Sequence, residues 1–194
     1  RGNGRARSRP PRRGCGDPAR RRPRFPGTRA RGSSPGLDAR WVPNENLHIT
    51  LWFIGEVADE RGQGVIEALK ASAFVTSAFD LSLAGCGAFP PSGPPRVFWI
   101  GVRQGGVEMA SVHREVGDRL APLGFLPERR AYTAHLTIAR IKDPGRGTAK
   151  AIRDTLAALP SDCGTMGIAV VTLFRSRLSP RGATYEPVLR VPLS

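Results

Sequence analysis

The sequence predicts an α+β chain of 194 residues, folded as one domain or as one domain built of two similar lobes. Three observations predict it. Apolar runs rich in β-branched and aromatic residues, bounded by Gly and Pro, alternate with stretches of helical periodicity. A tetrapeptide with the order His, apolar, Thr, apolar occurs twice, at His48-Ile49-Thr50-Leu51 and at His135-Leu136-Thr137-Ile138, 87 residues apart. The order of elements around the two copies is also alike, although the first copy lacks the strand and helix that precede the second.

Order begins near Trp41-Val42-Pro43. Asn46 to Gly55 is an apolar run with His48 and Thr50 set into it, and reads as a strand. Residues i and i+2 of a strand share a face, so His48 and Thr50 point one way and Ile49 and Leu51 the other. Asp59 to about Ala73 reads as a helix with Val65, Ile66, Leu69 and Ala73 inward. Phe79 to Gly87 alternates as a strand does, and Phe89-Pro90-Pro91-Ser92-Gly93-Pro94-Pro95 is a loop by composition. Arg96 to Val102 is a buried-type strand. Val107 to Leu123 is the clearest helix, with Met109, Val112, Val116 and Leu120 in one stripe and Gly124 to stop it. The second motif lies in a strand from about Tyr132 to Ile141. Thr148 to Leu159 reads as a helix with Ile152, Leu156 and Leu159 inward. Met166 to Ser176 and Thr184 to Val191 read as strands joined by the turn Ser179-Pro180-Arg181-Gly182.

The formal charge of +14 is uneven. Residues 1–40 hold thirteen Arg against Asp17 and Asp38, a balance of +11, which leaves 17 basic and 14 acidic residues and a balance of +3 for residues 41–194. Residues 1–37 carry almost no large apolar residue and are expected to be disordered. A solvated tail and a basic arm for RNA phosphates are two readings of them. A third is preferred, that they are out-of-frame or mis-started translation. Phe98 lies 37 residues before His135, and the same count back from His48 reaches Pro11, so this stretch has the length of a strand–helix unit with the wrong residues for one. Detection of a peptide from residues 1–37 in the native protein would remove that reading.

Cys15, Cys86 and Cys163 are odd in number and form no CxxC pair, which argues against a disulfide framework or a zinc knuckle and fits a reducing, cytoplasmic compartment. No apolar run reaches the roughly 18–20 residues that span a bilayer, and the Arg-rich start lacks the apolar core of a secretory signal.

Two histidines at matching places in a duplicated unit predict a symmetric cleft. A neutral imidazole takes a proton and an imidazolium gives one, so the pair can serve as general base and general acid on opposite sides of a reacting centre. Thr50 and Thr137 add uncharged hydrogen bonds. A phosphodiester suits this set, since in-line displacement at phosphorus needs a base, an acid and donors to the equatorial oxygens. The scheme needs no metal and no cofactor, and no carboxylate or His cluster offers a metal site.

The motifs Asn46-Leu47-His48-Ile49-Thr50-Leu51 and Ala134-His135-Leu136-Thr137-Ile138-Ala139-Arg140 resemble the paired signatures of the two-histidine phosphoesterases, and within them the RNA 2′,3′-cyclic phosphodiesterases, also called 2′-5′ RNA ligases. Arg40-Trp41-Val42-Pro43, Gly85 to Pro90, Pro95 to Val102, Ala121 to Phe125 and Phe174 to Leu178 are similar as well, so the resemblance covers about residues 38–194. It implies a bilobal fold of two antiparallel sheets flanking a central cleft, with helices outside. It also implies metal-independent hydrolysis of RNA 2′,3′-cyclic phosphate ends to 2′-phosphates. Carried over by motif, His48 is the proton donor, His135 the proton acceptor, and Thr50 and Thr137 hold the phosphate. A 5′-hydroxyl in place of water would give 2′-5′ ligation. The implied partner is RNA with cyclic phosphate ends, tRNA halves among them, met by a monomer away from any membrane.

Blander readings stand beside these. Two core histidines satisfied by backbone are the alternative for His48 and His135, and Thr is in any case a good strand former. Arg130 and Arg140 are further candidates for phosphate contact, with an exposed non-specific charge as the alternative for each. His113 reads as a solvated surface residue. Trp52, Phe98 and Trp99 read as core rather than base-stacking platforms, and Cys86 and Cys163 as buried small apolar residues. Rival functions are a phosphodiesterase of small cyclic nucleotides, a non-catalytic nucleotide- or RNA-binding module, and an inactive product.

Overall fold

The computed structural model describes residues 39–128, 130–142, 150, 154, 157, 162–179 and 182–194. Strand β1 (Ala39–Trp41) leads through a 3₁₀ turn (Asn44–Asn46) and the first motif to helix α1 (Asp59–Lys70). Strands β2 (Phe79–Phe89) and β3 (Val97–Gln104) follow, then helix α2 (Gly106–Leu120) and a 3₁₀ turn (Ala121–Leu123). Strand β4 (His135–Ile141) carries the second motif, and β5 (Asp162–Ile168), β6 (Val170–Ser179) and β7 (Gly182–Pro192) complete the order.

Every strand pairing is antiparallel. Five strands form one sheet in the order β1-β4-β3-β2-β5, and β6 and β7 form a second. Each sheet has its own core. Leu81, Leu83, Phe98, Ile100, Leu136 and Ile138 cover one face of the larger sheet, joined by Met109 from α2. The smaller sheet contributes Val171 and Val191 to a cluster with Val65 and Leu69 of α1 and Val112, Val116 and Leu120 of α2. Helix α2 thus serves both cores from a single stripe, each side chain of which contributes about 1.5–3 kcal/mol on burial. Arg119 fixes the end of α1, donating to the carbonyls of Leu69, Ser72 and Ala73 while its guanidinium lies 3.9 Å from the Phe74 ring centroid. Gly124, at φ +80°, closes the 3₁₀ turn after α2, a left-handed conformation that glycine adopts without a Cβ penalty.

Several expectations are corrected. The first motif is not a strand: between Asn46 and Gly55 only Ile49 pairs, in an isolated antiparallel bridge to Leu136. Its backbone acceptors are taken elsewhere, Asn46 O by the His48 ring and Leu51 O by His113. The expected strand Met166–Ser176 is two strands, broken at Ala169, that belong to different sheets. A further short strand, β1, precedes the first motif. Helix α1 ends at Lys70, leaving Ala73 exposed beyond it, and α2 ends at Leu120. Within the expected helix Thr148–Leu159, Lys150, Asp154 and Ala157 are helical, while Ile152, Leu156 and Leu159 lie outside the described residues, as do residues 1–37 and the turn residues Pro180 and Arg181.

Candidate active site

Strand β4 sets half of the site by alternation. Leu136 and Ile138 are buried in the core, and His135 and Thr137 face the other way, half-buried. The bridge from Ile49 to Leu136 places the first motif beside this strand. Directly paired residues share a face, and Ile49 packs with Leu136 on the core side. The bridge thus brings His48 and Thr50, the neighbours of Ile49, alongside the strand that carries His135 and Thr137.

The two imidazoles are oriented in the same way. His48 Nδ1 lies 2.7 Å from the carbonyl of Asn46, and His135 Nδ1 lies 2.8 Å from that of Thr133. A carbonyl only accepts, so each Nδ1 carries a proton and donates it, which leaves Nε2 of both rings for proton transfer. Each ring also has an aromatic neighbourhood of its own. His48 meets Tyr185 edge-on at 4.8 Å and Phe174 at 6.5 Å, both from the smaller sheet. His135 meets Phe89 edge-on at 5.1 Å and Trp99 at 6.4 Å, both from the larger sheet. Trp99 stands on the site face rather than in the core, because it pairs with Thr137 on one side and Gly87 on the other. Its ring lies so close to Gly87 that a Cβ there would be 2.3 Å from Trp99 Cζ2.

Of the two candidate arginines, Arg140 reaches the site face and Arg130 does not gain it from any strand pairing. Ile138 is an extra residue in β4 opposite the Phe98–Trp99 step of β3. Such a bulge turns two successive side chains the same way, and Ile138 and Ala139 are indeed both buried. Arg140 is thereby returned to the side of Thr137 and is exposed, with Arg40 of β1 directly across from it. Arg130 occupies an exposed bend ahead of β4.

His113 is not a solvated surface residue. It is half-buried on α2, hydrogen-bonded through Nδ1 to Leu51 O at 2.8 Å and stacked with Trp52 and Tyr132. Tyr132 Oη is buried with no hydrogen-bond partner among the described residues, and burial pushes its pKa up to about 12. Cys86 and Cys163 are half-buried rather than buried, and burial raises the Cys86 thiol above its ordinary value, which keeps it a poor nucleophile. Sequence reasoning missed Phe174 and Tyr185. The opposition of Ser176 and Tyr185 in a hairpin was the available signal, but only the position of the first motif brings that hairpin to His48. Among the described residues no group of three His, Cys, Asp or Glu converges on one point, and no helix is long and apolar enough to cross a membrane.

Comparison with known proteins gives a consistent picture. The family described as LigT-like phosphoesterase matches residues 28–99 and 100–185, one His-x-Thr motif in each segment. An Aeropyrum pernix RNA 2′,3′-cyclic phosphodiesterase is 34% identical over 157 residues, covering 80% of this chain and 87% of the relative. One from Archaeoglobus fulgidus is 37% identical over 145 residues, covering 75% and 78%. The crystal structure of Escherichia coli LigT complexed with 3′-AMP superposes with a TM-score of 0.63 at 24% identity, covering 82% of this chain and 84% of that one, a likeness of fold.

Proposed function

The chain belongs to the LigT-like phosphoesterases, and from that premise we propose that it hydrolyses the 2′,3′-cyclic phosphate at RNA 3′ ends to a 2′-phosphate, without a metal ion. The observation that carries this reading is the pair of matching Nδ1–carbonyl hydrogen bonds, which leave Nε2 of His48 and of His135 for proton transfer. In the proposed reaction His135 Nε2 takes a proton from water as its oxygen bonds to phosphorus. The bond from phosphorus to O3′ breaks, and His48, protonated at Nε2, gives its proton to O3′. Thr50 and Thr137 donate to the non-bridging oxygens, where charge builds up in the transition state. Arg140 adds a cation on the side of Thr137 for the phosphate, and Arg130 one from outside it. The direction of transfer, with His48 as acid, follows the family resemblance, because the near-symmetry of the motifs is blind to it.

A 5′-hydroxyl in place of water would follow the same course and leave a 2′-5′ bond without ATP. Both curated relatives compared above are named RNA 2′,3′-cyclic phosphodiesterases, which supports RNA ends, tRNA halves among them, as the substrate class. The reading places the activity in residues 38–194, acting as a monomer, and the dispersed cysteines fit a cytoplasmic setting. The test is product analysis of an oligonucleotide ending in 2′,3′-cyclic phosphate, incubated with the protein in EDTA. A 2′-phosphate is expected. An unchanged cyclic end would refute the activity, and turnover only after a metal is restored would refute the mechanism.

A further inference from the structure

The first motif is held against β4 by a single bridge, Ile49 to Leu136, and not by a ladder. One bridge fixes a crossing point but leaves register and tilt weakly determined. The chemistry proposed above nevertheless requires His48 and Thr50 to be fixed against Thr137 and His135 to within a fraction of an ångström. Core packing of Leu47, Ile49 and Leu51 is non-directional, and a directional constraint comes from His113, which touches both sides of the junction.

On the first-motif side, His113 Nδ1 bonds Leu51 O at 2.8 Å, one residue past Thr50. The carbonyl accepts, so Nδ1–H donates. The Trp52 ring stacks on the imidazole at 5.0 Å and 29°. One turn along α2, Gly117 leaves the space for that ring, since a Cβ there would be 2.7 Å from Trp52 Cζ3. On the second-motif side, the Tyr132 ring stacks on His113 at 4.2 Å and 6°. The next residue is Thr133, whose carbonyl holds His135 Nδ1. Helix α2 is itself anchored in both cores, so it gives this contact a rigid base.

We infer that His113 is a positioning residue: its Nδ1–H bond to Leu51 O sets the spacing between the His48–Thr50 and His135–Thr137 pairs. The inference rests on the phosphodiesterase reading of that site. The variant His113→Phe keeps a ring for the stack and removes the donor, while His113→Asn places an amide N–H where Nδ1–H stood. In the hydrolysis assay H113F is expected to lower kcat on the order of tenfold to a hundredfold with KM little changed, and H113N to restore most of the loss. The imidazole NMR resonances of His48 and His135 are expected to move in H113F and to return in H113N. Wild-type kcat in folded H113F, or H113N as impaired as H113F, would overturn the inference. So would His48 and His135 resonances that stay in place in H113F, a readout that decides the matter without turnover. A wild-type chain with no hydrolysis would count instead against the phosphodiesterase reading.

Discussion

At the scale of single residues the site depends on which imidazole nitrogen holds a proton. His48 and His135 each donate from Nδ1 to the carbonyl two residues earlier, a local contact made within the motif's own backbone. That explains why the pair was legible in the sequence: motif and orientation travel together. His113 and Tyr132 were not legible, because their contacts are made with residues far away in the chain. The stack between them brings α2 to the approach of β4, and no periodicity in either segment announces it. Tyr132 is open to a direct test. Its pKa is raised from 10.0 to about 12 by burial, so the folded state disfavours the phenolate. The sign follows from linkage: the folded form holds its proton more tightly, so stability is untouched below pH 10.0 and is lost as pH rises from there through about 12. Tyr132→Phe removes this loss. Because Oη is buried without a partner among the described residues, Y132F is expected to raise stability at neutral pH by about 1–3 kcal/mol. Denaturant unfolding of both proteins from neutral pH to pH 12 should show the variant's advantage constant below pH 10.0 and growing only in the alkaline range. Parallel pH profiles would contradict the assignment.

At the scale of elements, alternation and its interruptions decide what faces the site. The stripe Met109, Val112, Val116 and Leu120 was legible and α2 buries all four, because helical periodicity reports one continuous face. The bulge at Ile138 was not legible. Pure alternation puts Arg140 on the core side with Leu136 and Ile138, whereas the bulge gives the core Ala139 and turns Arg140 outward. The first motif has the composition of a strand without the ladder of one, since strand propensity describes a half-buried surface and not the presence of a partner. Trp99 was assigned to the core on composition, yet its pairing with Gly87 lays its ring on the site face. Gly87→Ala tests that packing. The added Cβ would fall 2.3 Å from Trp99 Cζ2, which forces the indole to move and, with it, its neighbours Phe89 and His135. Overpacking of this kind costs about 1–3 kcal/mol. Thermal or denaturant unfolding is expected to show that loss, accompanied by reduced turnover. A variant as stable and as active as the wild type would mean that the ring does not rest there.

At the scale of the whole molecule, the fold brings together two motifs that are 87 residues apart in sequence. The larger sheet presents His135 among Phe89 and Trp99, and the smaller sheet meets His48 with Phe174 and Tyr185. The duplication was legible because both copies keep the same four-residue order. The unequal outcome, in which one copy becomes strand β4 and the other is held by a single bridge, belongs to tertiary structure alone. The central claim is that His48 and His135 act as one acid–base pair, and the pH dependence of kcat/KM for wild type, His48→Ala and His135→Ala tests it most directly. A bell-shaped profile is expected for the wild type in EDTA. Each substitution should lower turnover by about 10²–10⁴-fold, with H48A losing the alkaline limb of the bell and H135A the acidic limb. Either variant retaining turnover within tenfold of the wild type, or a wild-type profile with no limbs, would contradict the claim.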